Sequence, residues 1–94
     1  MSADIPNLRH LRPFLEVVNH QRIAIASEHV HLSQPAITQA IGKMERFFGV
    51  SLFDRRPNGM FATDVGQLLQ AWVERMFEHL RFGATEAVRL GTKC

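Results

Sequence analysis

Ser33-Gln34-Pro35-Ala36-Ile37-Thr38-Gln39-Ala40-Ile41-Gly42-Lys43-Met44-Glu45-Arg46-Phe47-Phe48-Gly49-Val50 decides the fold. Ser33 is an N-cap residue type, able to accept a bond from an orphan first-turn amide. Pro35 falls in that turn, where a missing N–H costs nothing. Ile37, Ile41, Met44 and Phe48 recur at helical spacing and predict a core face. Gly49 suits a left-handed C-cap, with Val50 packing back on the last turn. The stretch predicts one helix with a marked start, face and stop.

Upstream, Ile23, Ala26, Ser27 and Val30 predict a helix of about two turns. Its small residues Ala24, Ala26 and Ser27 admit close approach by a neighbour. His31-Leu32 makes a tight link to Ser33, with Leu32 filling the corner, so the two helices form a helix-turn-helix. Before them, Asn7 caps a segment with Leu8, Leu11, Phe14, Leu15 and Val18 on one side, ending near His20. Pro13 would cost roughly 3 kcal/mol inside a helix, so this helix either bends or starts later than Asn7 indicates.

Downstream, Leu52-Phe53-Asp54 and Met60-Phe61-Ala62 flank Arg55-Arg56-Pro57-Asn58-Gly59, which has turn chemistry, and predict a small β-hairpin with two cations at its tip. Thr63 then caps a last helix, with Asp64 at its positive end, reaching Leu90 or Gly91. That helix carries more apolar residues than one face can hold. One side is expected to cover the domain and the other to need a partner, with Leu68, Leu69, Trp72, Val73, Met76, Phe77 and Leu80 as the dimerisation set.

In a helix-turn-helix the opening of the second helix meets base edges in the major groove, so its outward residues should be polar and short. Gln34, Thr38 and Gln39 fit, with Gly42 behind them. Gln pairs with adenine and the Thr methyl touches thymine, which leans towards A·T contacts. In an arbitrary helix these would be ordinary solvated residues; the surrounding layout is what singles them out. Arg22, Lys43 and Arg46 are placed to meet phosphates, and Arg55 and Arg56 suit a narrow, negative minor groove, although Arg55 has Asp54 beside it. Gly42 permits a close backbone approach or is neutral.

The 94 residues hold one compact domain and a projecting helix. A net charge of +2 does not by itself point to nucleic acid. The four acidic and four basic residues from Asp64 onward argue against a membrane-surface helix. There is no basic, apolar leader at the start and no stretch of about 20 apolar residues, so the expected compartment is cytoplasmic. The single cysteine, Cys94, can make no internal disulfide. His29-x-His31 lacks the company of zinc-ligand spacing, so no metal and no cofactor are expected in the chain. Neither a phosphate loop nor a carboxylate pair in a pocket is evident, which speaks against an enzyme.

Three stretches carry a family resemblance from about Leu8 to the middle of the last helix: Leu8-Arg9-x-Leu11-Arg12-x-Phe14, Ser33-Gln34-Pro35-Ala36-Ile37-Thr38 with Ile41 and Glu45, and Gly49-Val50-x-Leu52-Phe53-Asp54-Arg55, followed by Thr63 and Gly66. In order and spacing they resemble the N-terminal region of LysR-type transcriptional regulators. The resemblance implies a mainly α fold: a winged helix-turn-helix of three helices and a β-hairpin wing, then a long linker helix that pairs antiparallel with a second copy. It implies a homodimer reading an interrupted inverted repeat in double-stranded DNA, tetramers in the full-length protein, and base reading by Ser33, Gln34, Pro35, Ala36, Thr38 and Gln39. The wing role falls on Arg55 and Arg56. A small-molecule effector is expected for a further domain absent from this chain. Gln39 and Gly42 stand where the family commonly carries a basic residue, Ala40 where it carries a polar one, Phe61 where it carries a basic one and Pro13 where it carries an aromatic one.

The expected organisation is residues 1–62 as the DNA-binding domain and 63–94 as linker helix and C-terminal end. The expected function is sequence-specific DNA binding that regulates bacterial transcription. The alternative is a protein-interaction module working through the apolar last helix, with little DNA binding.

Overall fold

In the computed structural model, which describes residues 6–92, a 3-10 turn at Leu8–His10 leads into α1 (Leu11–His20), α2 (Ile23–Val30), α3 (Gln34–Phe48), the strands β1 (Phe53–Arg56) and β2 (Gly59–Ala62), and α4 (Asp64–Gly91). Cys94 lies outside the described residues. The expected winged helix-turn-helix with a long last helix is what forms.

Pro13 sets the start of α1. Asn7 caps the 3-10 turn, its side-chain oxygen accepting from Arg9 N at 2.9 Å, and α1 begins only at Leu11. Pro13 therefore sits in the first turn, where no intrahelical N–H is needed, and no bend is required. The later start leaves Leu8 outside the core, 57% exposed. After His20, Gln21 takes a left-handed conformation (φ 64°) and turns the chain directly into α2.

α3 is built as its sequence predicts at both ends. Ser33 Oγ accepts from Ala36 N at 3.2 Å, and Gly49 closes the helix at φ 73°. Ile37, Ala40, Ile41 and Met44 are buried, so the inward face is one residue wider than expected at Ala40 and shorter at Phe48, which is exposed with Phe47 and Val50. Leu32 is 41% exposed and does not fill the corner; His31 caps α2 in a left-handed conformation, and the buried Ala26 and Ile37 belong to the core there. Phe14 of α1 meets Phe53 of β1 edge to face, at 5.6 Å between centroids.

The hairpin is longer than expected and its cations lie elsewhere. β1 pairs antiparallel with β2, Phe53 opposite Ala62 and Arg56 opposite Gly59, leaving Pro57-Asn58 alone as the loop. Arg55 and Arg56 are thus strand residues rather than tip residues. Pro57 cannot take the positive φ of the usual two-residue hairpin turn, and the unusual backbone passes to Gly59 at φ 147°. There a Cβ would stand 2.5 Å from the Gln21 carbonyl oxygen, which itself accepts from Met60 N at 2.9 Å. Glycine at 59 lets the wing close on the α1–α2 corner.

A second clasp fastens α4. Thr63 Oγ1 accepts from Gly66 N at 3.1 Å and donates to Ser51 O at 2.8 Å, while Thr63 N donates to Leu52 O at 3.0 Å. A Cβ on Gly66 would overlap the Leu52 carbonyl oxygen. Beyond this clasp only Val73 of α4 is fully in the core, with Leu69, Met76 and Phe77 half-buried against it.

Candidate nucleic-acid interface

Because Ile37, Ala40, Ile41 and Met44 turn inward, the helical period turns the opening of α3 outward on its opposite side. Gln34, Pro35, Thr38 and Gln39 are all exposed and together line one shallow, open surface. Of the rest of the expected reading set, Ser33 is exposed with its hydroxyl engaged in the cap, and Ala36 is half-buried. The surface bears amides, a hydroxyl and methyls but no charge, so its chemistry matches base edges better than phosphates.

The cations stand around it. At the start of α3, Arg22, Gln34, Arg56 and Gly59 border one hollow, which joins the first turn of α2 to the wing. Arg22 is the N-cap position of α2, where its guanidinium, a donor only, cannot accept the cap bond and makes none. Towards the end of α3, Gly42, Arg46 and Arg55 border another hollow, with the Arg46 guanidinium beside Gly42. Lys43 is exposed but lies on the side of His10: burial first, and then the charge of Lys43, push the His10 pKa down. Lys43 therefore stands apart from the two arginine clusters.

Both wing arginines have acidic partners. Arg55 meets Glu45 at 3.3 Å, not the neighbouring Asp54; Arg56 meets Asp54 at 3.0 Å and lies 4.9 Å from the Phe61 ring centroid. The Arg56–Asp54 pair is exposed on both sides and therefore weak, so a phosphate can displace Asp54 at small cost, whereas Glu45 is half-buried and held by two backbone amides, so a phosphate reaches Arg55 from its exposed side. Phe61 adds no cation to the wing and instead serves as the platform for Arg56.

Glu45 carries part of the family resemblance, but its role is not legible in sequence, and Gln21 gives no signal at all. The Glu45 carboxylate accepts from Leu52 N at 2.9 Å, from Phe53 N at 3.3 Å and from Arg55, tying α3 to the base of the wing. Gln21 does the same for the wing's other side through its backbone carbonyl. The Asn58-Gly59 pair signals a turn; nothing local signals what Gly59 packs against.

The expected dimerisation set divides. Val73 belongs to the chain's own core, Leu69, Met76 and Phe77 lean on it, and Leu68, Trp72 and Leu80 are 61%, 58% and 59% exposed. Trp72 also borders an apolar hollow with Leu8, Leu11, Phe48 and Leu69. Among the described residues no helix is long and apolar enough to cross a membrane.

Residues 8–67 match the family model described as bacterial regulatory helix-turn-helix protein, lysR family. The chain is 34% identical over 80 residues to the HTH-type transcriptional regulator GalR of Pseudomonas putida, covering 85% of this chain and 20% of that protein. It is also 34% identical over 77 residues to the HTH-type transcriptional regulator TdcA of Escherichia coli, covering 82% of this chain and 25% of that one. The chain thus spans a fifth to a quarter of the length of these curated relatives. Among solved structures, the BenM DBD/catB site 1 DNA complex superposes with TM-score 0.88 at 23% identity, over 94% of this chain and 98% of that chain. The CbnR DBD–DNA complex superposes with TM-score 0.81 at 28% identity, over 93% and 99%.

Proposed function

The chain belongs to the lysR family of bacterial regulatory helix-turn-helix proteins, and from that premise we propose that it binds double-stranded DNA sequence-specifically to regulate transcription in the cytoplasm. The observation that carries the reading is the uncharged face of Gln34, Thr38 and Gln39 with arginine pairs at both ends of it, Arg22 with Arg56 and Arg46 with Arg55. Base edges are met by the middle and phosphates by the ends, a division of labour in which the ends supply affinity and the middle supplies choice. The likeness to CbnR, solved with DNA, supports the same orientation of α3 towards the groove.

The binding unit is proposed to be a homodimer. Leu68, Trp72 and Leu80 lie exposed along α4 and suit a second copy of the same helix; a two-fold pair of wings then faces an interrupted inverted repeat. Tetramers and control by a small-molecule effector are proposed for the full-length protein only. The curated relatives GalR and TdcA are named as transcriptional regulators, which supports a regulatory rather than a catalytic role for the chain.

Fluorescence anisotropy on duplexes selected from random DNA tests the reading. Thr38→Ala and Gln39→Ala should change site preference, each by about 1–3 kcal/mol. Arg55→Ala with Arg56→Ala should weaken binding to all sequences and lower the salt slope by about 0.9 for each phosphate no longer neutralised. Absent or salt-insensitive DNA binding, alongside tight association with another protein, would instead favour an interaction module.

A further inference from the structure

On the face of α1 and α2 outside the proposed DNA-reading set, Glu16, His20 and His29 converge, each offering one ligand atom within 4.8 Å of the others. Glu16 and His20 are one helical turn apart on α1, and His20 Nε2 lies 3.1 Å from Glu16 Oε1. His29 comes from the last turn of α2, its ring stacked on that of His20 at 4.3 Å between centroids and 13° between planes. Among the described residues the His29 side chain makes no hydrogen bond, and Glu16 has no lysine or arginine within ion-pair distance. Two imidazoles and a carboxylate thus meet with donor capacity to spare.

We propose that these three residues bind a divalent cation of the zinc class, bridging α1 to α2. Two imidazole nitrogens and one carboxylate oxygen are a donor set that zinc accepts, with a fourth position left for water. Bonds of about 2.0–2.1 Å in a tetrahedron require ligand atoms about 3.3 Å apart. The Glu16–His20 pair is already at that spacing. The stacked rings hold their in-plane lone pairs side by side, so binding requires the exposed His29 ring to rotate until its nitrogen points at a shared centre. The i, i+4 spacing on α1 supplies a preformed half-site, and α2 supplies the closing ligand. A hard cation such as Mg2+, which prefers an oxygen shell, should not bind here. The bound cation would join α1 to the first helix of the helix-turn-helix and stabilise the folded chain in proportion to the logarithm of its concentration over its dissociation constant.

The test is titration of the full, tag-free chain carrying Cys94→Ser, which removes the thiol, with Zn2+ in calorimetry and with Co2+ followed by its visible absorption. One equivalent should bind, with a tetrahedral Co2+ spectrum, and Zn2+ but not Mg2+ should raise the thermal midpoint. His29→Gln, His20→Gln and Glu16→Gln should each weaken Zn2+ binding by about 10–100-fold, at least the cost of losing an outer-sphere partner. His31→Gln, which breaks the His29-x-His31 alternative, should bind as the parent does. His29 is exposed, so circular dichroism of His29→Gln should be that of the parent. Absence of saturable Zn2+ binding, or binding unchanged in His29→Gln, or binding lost in His31→Gln, overturns the proposal.

Discussion

Glu45 satisfies two backbone amides and a guanidinium at the junction of α3 and the wing. Removing it strands partly buried N–H groups, so Glu45→Ala should lower stability by about 1–3 kcal/mol in urea denaturation, and Glu45→Gln, which keeps one acceptor, by less. His10 sets a pH dependence. Its folded pKa is depressed below 6.5, by burial and then by Lys43, so the unfolded chain binds the proton more readily. The contribution is complete above about pH 6.5 and is lost as pH falls through the folded value. The urea midpoint should therefore drop on acidification below about pH 6.5, and by less in Lys43→Gln. Neither role is legible in sequence, because each depends on residues brought together by the fold: Glu45 reaches seven to ten positions along the chain, and Lys43 reaches His10 across helices. Ser33, Gly49 and Thr63 are legible because a cap is satisfied within its own first or last turn.

At the level of elements, two of the three glycines of α4, Gly66 and Gly83, have opposite expected behaviour. Gly66 is pressed against Leu52 O, so Gly66→Ala should cost about 1–3 kcal/mol and loosen the joint between wing and helix. Gly83 has open space around it, so Gly83→Ala should gain up to about 1 kcal/mol from helix propensity. Chemical denaturation of the two variants side by side checks both signs. The same element shows where sequence patterns run out. The apolar excess of α4 is plain from the sequence, but which residues serve the chain's own core depends on the angle at which the Thr63 clasp launches the helix. The wing likewise reads as a hairpin, while its register follows from pairing: a two-residue loop at Pro57-Asn58 carries Arg55 and Arg56 into β1. The opening face of α3 was legible because its complement, Ile37, Ile41 and Met44, was legible as core.

For the whole molecule, the radius of gyration is 15.3 Å, against about 12 Å for a compact chain of this length, and the longest extent is 56 Å. The excess is α4, which leaves the core after Phe77 with Leu80, Phe82 and Val88 exposed. Light scattering at tens of micromolar should report a dimer, and Trp72→Ala combined with Leu80→Asp should shift it to monomer while leaving the helical spectrum intact; a parent chain that is monomeric there would remove α4 as the self-association element. The seating of α4 on the core as far as Phe77 then has a mechanical consequence. The part of α4 beyond Phe77, residues 78–91, is a free arm about 21 Å long. A bend of about 10° where the helix leaves the core sweeps the far end through about 4 Å, or roughly one base-pair rise along a duplex. In the proposed dimer, how firmly Leu69, Val73, Met76 and Phe77 hold the base of α4, multiplied by that arm, would set how widely the two DNA-binding ends can stand apart.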